Sequence, residues 1–272
     1  MNFQRIYKPI LGLFGLGLLL ASCEDIIEVD LDSIPPKMVI EGSINDLESQ
    51  VRIKLSTTTD YFKPGETPPV SDASVTITDE QGTTTTFEET APGFFLSNPF
   101  QVMENTTYTL EVMAGDEYYE AECTMPERVD IDSMSFEPAP IYMDFAENAF
   151  QVSCHFEDPE EIDNYYRVKA YVKGDELSGD RSKVVFNDDF VEGNVISIPW
   201  DLEGFMALDT VVMELQTLDR ASYDYYRTLF PILNGGMGSP NPTDPETNLS
   251  NDALGYFGAS TISRDTIVIQ AK

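Results

Sequence analysis

Histidine occurs once in this sequence, at position 155, and that scarcity removes most of the common hydrolytic constellations. A Ser-His-Asp or Cys-His arrangement would have to use that one imidazole. No G-x-S-x-G motif is present to hold a nucleophile on a sharp turn. In "FQVSCHF", His155 falls on the strand face opposite Val152 and Cys154, so it points toward solvent. Zinc sites need several His or Cys ligands, and the chain has one histidine and three cysteines. Basic residues are few as well: 16 Lys and Arg face 48 Asp and Glu, a formal charge of −32. Such a surface repels phosphates, which excludes nucleic acid as a partner. It also repels anionic membrane surfaces.

What is present begins with a targeting segment. Arg5 and Lys8 precede Ile10 to Ala21, twelve residues without a charge. As a helix this run spans about 18 Å, against a hydrocarbon core of about 30 Å, too short for a comfortable span. It leads into "LLLASCEDIIEVD", which sets Cys23 between an apolar run and a string of carboxylates. Leu20-Ala21-Ser22-Cys23 resembles the lipobox of bacterial lipoproteins. That resemblance implies a signal peptide over 1–22, cleavage before Cys23, a diacylglyceryl group on the thiol and an acylated new amine. The chemistry fits, because small residues admit the peptidase and a thiolate is a strong nucleophile. Several acyl chains, at about 0.8 kcal/mol per buried methylene, make a stable membrane anchor. The alternative is an ordinary signal peptide with an incidental cysteine. Glu24, Asp25, Glu28, Asp30 and Asp32 then form an acidic tether over 23–35. Acids directly after the cysteine, Glu24 and Asp25 first, resemble the surface-export signal of Bacteroidota lipoproteins. The implied location is the outer membrane, lipid-anchored, at the cell surface. Inner-membrane retention, which such acids mark in other bacteria, ranks below it.

Removing 1–22 takes away Arg5 and Lys8 and no acid, so 14 basic residues face 48 acidic ones, a charge of −34 over 250 residues. Sixteen phenylalanines and thirteen tyrosines are enough to fill real cores. Export permits a disulfide between Cys123 and Cys154. Each thiol, however, shares a period-two apolar face: Tyr119, Ala121, Cys123 and Met125 in one run, Phe150, Val152, Cys154 and Phe156 in the other. We therefore expect buried free thiols, with the disulfide as the alternative.

Residues 36–126 alternate apolar and polar in seven short runs, from "KMVIEGSI" to "EYYEAECTM", separated by turn residues such as "DEQG" and "APG". Seven short strands of this kind make a β-sandwich. Their order of turns and strands resembles the transthyretin-like, carboxypeptidase-regulatory-like sandwich. "MPERVDIDSMSFEPAP" reads as a hinge. Beyond it, 127–272 carries six more strand candidates, from "AFQVSCHFED" to "RDTIVIQAK". A short helix is expected at 219–230, with Asp219 as its cap and Pro231 limiting its end. The expected fold is mostly β, with two β-sandwich-like domains, the second bearing the helix.

The stretch from Gly235 to Asp252 is a long polar loop with Pro240, Pro242 and Pro245, followed by Tyr256 and Phe257. Long loops of this composition do not bury a core of their own and are often functional. Tyr256 and Phe257 are of the type found at interface hot spots, or else they seal the second sandwich. Together with "PPKMVIEGSI", "YYRVKAYV" and the tyrosine-rich helix, "NPTDPETNLSNDALGYFGAS" resembles an uncharacterised Bacteroidota lipoprotein family, a domain of unknown function. Gly255 to Gly258 match it well, whereas Asp252 stands where a small residue is expected. Members are encoded beside TonB-dependent outer-membrane transporters. The resemblance implies a non-enzymatic accessory or substrate-capture partner of such a transporter, serving nutrient uptake, with Pro240, Pro242, Pro245, Tyr256 and Phe257 as candidate contacts. A free-standing adhesin or glycan-binding lipoprotein is the second reading, and a carboxylate-based hydrolase the third.

No cofactor and no metal is expected. "FEDPEEIDN" and "FNDDF" offer oxygen ligands for calcium but lack EF-hand spacing, and a solvated acidic loop is the simpler account. Asp-Ser/Thr-aliphatic triplets at 32–34, 132–134, 209–211 and 265–267 resemble the O-glycosylation acceptor of Bacteroidota envelope proteins. The lipobox makes a direct prediction. Mass spectrometry of the mature N-terminus should find acylated Cys23 in the wild type and no lipid after Cys23→Ala; an unmodified wild-type Cys23 would refute the anchor.

Overall fold

Period-two burial decides the strands of the first half. In the computed structural model, which describes residues 35–59, 67–140, 146–160, 162–177, 185–189, 193–200, 204–233 and 244–270, β1 (Met38–Asn45) buries Met38, Ile40 and Ile44. Strand β2 (Arg52–Thr57) buries Ile53 and Leu55, and β3 (Ala73–Asp79) buries Val75 and Ile77. After β4 (Thr84–Ala91) and β5 (Phe94–Ser97), β6 (Thr107–Ala114) buries Tyr108, Leu110 and Val112. Strand β7 (Glu117–Thr124) buries Tyr119, Ala121 and Cys123. All seven runs read from the sequence are strands. Cys23, Glu24, Asp25, Pro240 and Pro242 lie outside the described residues.

The second half begins earlier than the alternation announces. The expected hinge contains β8 (Ser133–Pro138), whose Met134 and Phe136 pack on the second core while its prolines sit at or beyond its end. Strands β9 (Phe150–Glu157), β10 (Tyr165–Val172), β11 (Asp175–Glu176), β12 (Val185–Asn187), β13 (Val195–Pro199) and β14 (Thr210–Leu218) follow. Helix α1 spans Arg220–Leu233, three residues past the expected end, and takes Pro231 into its last turn. Strand β15 (Leu254–Val268) starts ten residues before the expected one at Arg264.

Twelve strands form one hydrogen-bonded path, with β11-β10-β14-β15-β1-β2-β5-β4-β3-β6-β7 in order and β12 beside β10; β13-β9-β8 form a separate sheet. Two hydrophobic cores result. The first holds Ile40, Ile53, Leu55, Ile77, Phe95, Leu110 and Cys123; the second holds Cys154, Phe156, Tyr166, Met213, Leu215 and Trp200. Among the described residues the fold is mostly β, with sandwich-like halves and one helix. Cys123 and Cys154 are free thiols in different cores.

Strand β15 serves both cores. Its first half pairs parallel with β1, from Val39↔Leu254 to Asn45↔Ser260. Its second half pairs antiparallel with β14, from Leu218↔Ser260 to Thr210↔Val268. Leu249, Ala253, Phe257 and Ala259 therefore belong to the first core although they lie near the C-terminus. This corrects two expectations. Phe257 is fully buried, and it seals the first sandwich, not the second. The later part of the 235–252 loop is structural: Ser250 exchanges bonds with Glu120 of β7 through its amide and hydroxyl, both at 2.8 Å. Asn248 Nδ2 donates to the carbonyls of Glu122 (2.8 Å) and Phe257 (2.7 Å), tying β7 to β15. Leu249 can then drop into the core, so the edge of β7 is covered.

The turn into β15 explains the glycine pattern. Asn251 and Asp252 both adopt φ +56°, and the Ala253 amide donates to the Ser250 carbonyl at 3.3 Å, as in a type I′ turn. A small residue is expected at 252 because of that φ, and Asp is among the side chains that tolerate it. Gly255 has φ +97°, and a Cβ there would lie 2.0 Å from the Ile40 carbonyl oxygen. Gly255→Ala should therefore cost about 3 kcal/mol or more, from backbone strain and lost β1 pairing. Trp200, in the second core, reports whether that loss spreads. Urea unfolding followed by tryptophan fluorescence and by far-UV circular dichroism should show one shared, lowered midpoint; an unmoved fluorescence midpoint would show that the cores unfold separately.

Candidate ligand cleft

The two faces of β10, β14 and β15 have opposite chemistry because the residues alternate. Tyr166, Val168, Ala170, Met213 and Leu215 face the second core. Arg167, Lys169, Glu214, Gln216 and Arg264 occupy the other face, where they line a cleft of about 280 Å³. Strand register fixes their order. Lys169, Glu214 and Arg264 are direct partners across three adjacent strands, and Arg167, Gln216 and Ile262 form the next row. Opposite charges directly across a sheet interact favourably.

Glu214 is the anchor of the cleft, with a side chain only 2% exposed. Its Oε2 accepts from Arg264 Nε at 2.7 Å and Nη2 at 2.6 Å, and from the Tyr171 hydroxyl at 3.3 Å. Its Oε1 accepts from Gln216 Nε2 at 2.6 Å. A buried carboxylate is stable only with such company. The carboxylate beside Arg264 raises the guanidinium pKa, and burial, followed by Glu214, pushes Tyr171 up to about 12. Lys169 Nζ lies 3.6 Å from Glu176, and the Arg167 guanidinium sits 4.8 Å from the Tyr226 ring centroid.

Helix α1 lies over one end of the cleft, and the local sequence dictates how. Asp219 Oδ1 accepts from the amide of Ser222 (3.0 Å), capping the helix, and from that of Ala259 (3.1 Å), fastening the cap to β15. Gly258 permits the approach, since a Cβ there would meet Ser222 Oγ at 1.9 Å. Tyr256 stacks on Tyr225 with centroids 4.3 Å apart and bonds the Tyr226 hydroxyl at 2.6 Å. Burial raises the Tyr256 hydroxyl pKa well above its ordinary value.

Of the residues expected at a contact surface, the structure brings Tyr256 to this cleft. Phe257 is inaccessible, and a partner contact through it is ruled out by its place in the first core. Pro245 is half-buried. His155 is half-buried on the outward face, where Nε2 is 2.7 Å from Ser135 Oγ. Asp158 and Asp188, from the two acidic segments, are buried and not solvated. Asp158 accepts from the Tyr166 hydroxyl and the Gly193 amide, and Asp188 accepts from the Asn164 amide at 2.7 Å. Burial pushes the Asp188 carboxyl up, with Asp158 adding to it. Among the described residues, no three His, Cys, Asp or Glu are placed to hold a metal. Ser133, Thr210 and Thr266, from the three described Asp-Ser/Thr triplets, are exposed. The cleft cations were missed by sequence reasoning. Part of their signal was present: "YYRVKAYV" and "VVMELQTL" each place a charge on the face opposite the apolar set.

A family described as a domain of unknown function, DUF4249, matches residues 24–266. The chain belongs to the DUF4249 family. No curated protein matches it significantly. Among solved structures, a two-domain fibronectin type-III segment of chicken tenascin is 14% identical, with 67% of this chain and 90% of that one covered and a TM-score of 0.22. A DUF4785 family protein of Legionella pneumophila is 8% identical (67% and 52% covered, TM-score 0.23). The Yersinia pseudotuberculosis adhesin InvE is 12% identical (66% and 55% covered, TM-score 0.21). The DUF4249 chain thus spans about half the length of the latter two. Likeness this slight says nothing of function.

Asp219 makes the roof of the cleft testable. Burial raises its carboxyl pKa, against the lowering effect of its hydrogen bonds. A raised folded pKa means that ionisation opposes folding above it, and that the penalty fades as pH falls through it. Asp219→Asn keeps the oxygen acceptor and should match or exceed wild-type stability at pH 7, with the difference shrinking as pH drops toward 4. Asp219→Ala loses the cap and the β15 link and should cost about 1–2 kcal/mol or more at either pH. Thermal midpoints across pH check both.

Proposed function

We propose that this DUF4249 protein is an outer-membrane lipoprotein, exposed at the cell surface. In this reading it acts without catalysis, as an accessory or substrate-capture partner of a TonB-dependent transporter. The observation that carries this reading is the segment Leu20-Ala21-Ser22-Cys23, in register behind a twelve-residue uncharged run and ahead of Glu24 and Asp25. The family match starts at residue 24, directly after the proposed lipid cysteine, which agrees with a domain tethered at its N-terminus. A covalent anchor also suits a chain whose charge of −32 opposes adsorption to anionic lipid. The cleft supplies a place for a small ligand, as capture requires.

The reading is tested on whole cells and membranes. Protease added to intact cells should remove the protein, and Glu24→Ala/Asp25→Ala should protect it. Affinity recovery from detergent-solubilised outer membranes should bring a TonB-dependent transporter with it. Because 244–252 helps to build the first core, the loop variant should replace only 234–243 with a short Gly-Ser linker. It should keep its thermal midpoint and recover less transporter. Recovery of the protein alone, at full yield and without any transporter, would overturn the partnership and favour a free-standing binding protein. Full protease resistance on intact cells would overturn surface display.

A further inference from the structure

The cations that line the polar cleft are matched in place. Arg264 gives Glu214 two nitrogens, at 2.7 and 2.6 Å, and Lys169 is paired with Glu176 at 3.6 Å. The Arg167 guanidinium is engaged over the rings of Tyr226 and Phe230. An ionic ligand would have to compete with these contacts, so the cleft favours a neutral one. The groups it leaves with spare hydrogen-bonding capacity are themselves largely neutral. Gln216 is only 9% exposed, and its Nε2 donates to Glu214 Oε1 at 2.6 Å, which fixes the amide. Among the described residues nothing donates to its Oε1, which is left to the cleft that Gln216 lines. Buried acceptors are satisfied in folded proteins, and here the partner has to come from the cleft. Asn45 is the reverse case. Its Oδ1 accepts from the amides of Leu47 (3.0 Å) and Glu48 (2.9 Å), so its Nδ2 is the free end, a donor. The hydroxyls of Ser43, Tyr256 and Tyr226 form a chain in which three protons serve two bonds, so one proton remains to donate.

We propose that the cleft binds a neutral polyhydroxylated molecule the size of one sugar ring. An acceptor at Gln216, a donor at Asn45 and hydroxyls at Ser260 and Tyr226 line one small space. Such a lining calls for ligand groups that both donate and accept. A hydroxyl does both, whereas a carboxylate only accepts and an ammonium only donates. A hydrocarbon body would displace water from these groups and leave them unpaired, which is costly. The volume, about 280 Å³, lies at the small end of ligand sites and suits a single ring. Two sources share this chemistry, a free monosaccharide and the terminal ring of a longer glycan. The inference deepens the capture reading and rests on it only for a role in uptake, because the hydrogen-bonding pattern is independent of any anchor or transporter.

Isothermal titration of the full lipidated protein, in a detergent without a sugar headgroup, tests the assignment. The probes are glucose and galactose, the uronate and the amino sugar of each, cyclohexanol, and the disaccharides maltose and lactose. At least one neutral ring should bind about tenfold or more tightly than its uronate, its amino sugar and cyclohexanol. Equal or tighter binding of the disaccharide that ends in that ring identifies a glycan terminus as the source; weaker binding identifies the free sugar. Asn45→Asp keeps the acceptor for Leu47 and Glu48 but removes the donor, and Ser260→Ala removes one hydroxyl. Each variant, checked for an unchanged thermal midpoint, should weaken the bound ring about three- to tenfold. If one variant fails to fold, the other decides. No neutral ring bound at millimolar concentration, equal binding of a charged counterpart or of cyclohexanol, or wild-type affinity in the folded variants would overturn the assignment. Transporter recovery is measured separately, so its failure leaves the ligand result intact.

Discussion

Parallel pairing of the last strand with the first is the interaction on which the rest of the molecule depends. Strand β15 completes the first sandwich through β1, places Phe257 and Ala259 in its core, and passes at Ser260 to β14 in the second. Two glycines make this possible for different reasons. Gly255 lets the backbone come against Ile40, and Gly258 lets Ser222 of α1 come against the strand. The helix, the tyrosine stack and the cleft all take their positions from that one strand. The cleft sits near the handover, where Asn45 and Ser260 meet the charged rows of β10, β14 and β15.

Most local structure was legible in the residues, because a strand with one buried face declares itself by alternation. Tyr108, Leu110 and Val112 could hardly be read otherwise. The thiols were legible for the same reason, Cys123 and Cys154 each sharing an apolar set. Where two faces are buried, alternation fails. The first half of β15, "LGYFGAS", has Phe257, Gly258 and Ala259 buried in succession, which obscured a strand that the sequence shows clearly only from Arg264 onward. Strand β8 was hidden by its prolines. Asp158 and Asp188 looked like solvated acids because nothing local reveals that Tyr166 and the Asn164 amide come from elsewhere to meet them. The cleft was invisible for a related reason. Lys169, Glu214 and Arg264 are scattered over almost a hundred residues, and only strand register aligns them.

Electrostatics divide the molecule into two regimes. Most of its acids are a field spread over the surface, screened within about 8 Å at physiological ionic strength. Glu214 is different: nearly dry, it holds Arg264, Gln216 and Tyr171 in fixed geometry. Removing a water-exposed acid changes little, whereas removing a partner of a buried one strands a charge. The arrangement fixes the direction of Arg264 at the cleft.

The order in which the chain becomes available gives the β1–β15 ladder a further meaning. Asp46 accepts from the Ile262 amide 216 residues away, and Val39 cannot find Leu254 until nearly all of the polypeptide has been delivered. Non-local pairing of this kind folds slowly, because loop closure must precede any reward. An N-terminal sandwich that lacks its closing strand leaves β1 with an open edge throughout synthesis. A chain threaded through a membrane from its N-terminus would thus remain unlocked until its final strand emerged, and would close only on arrival.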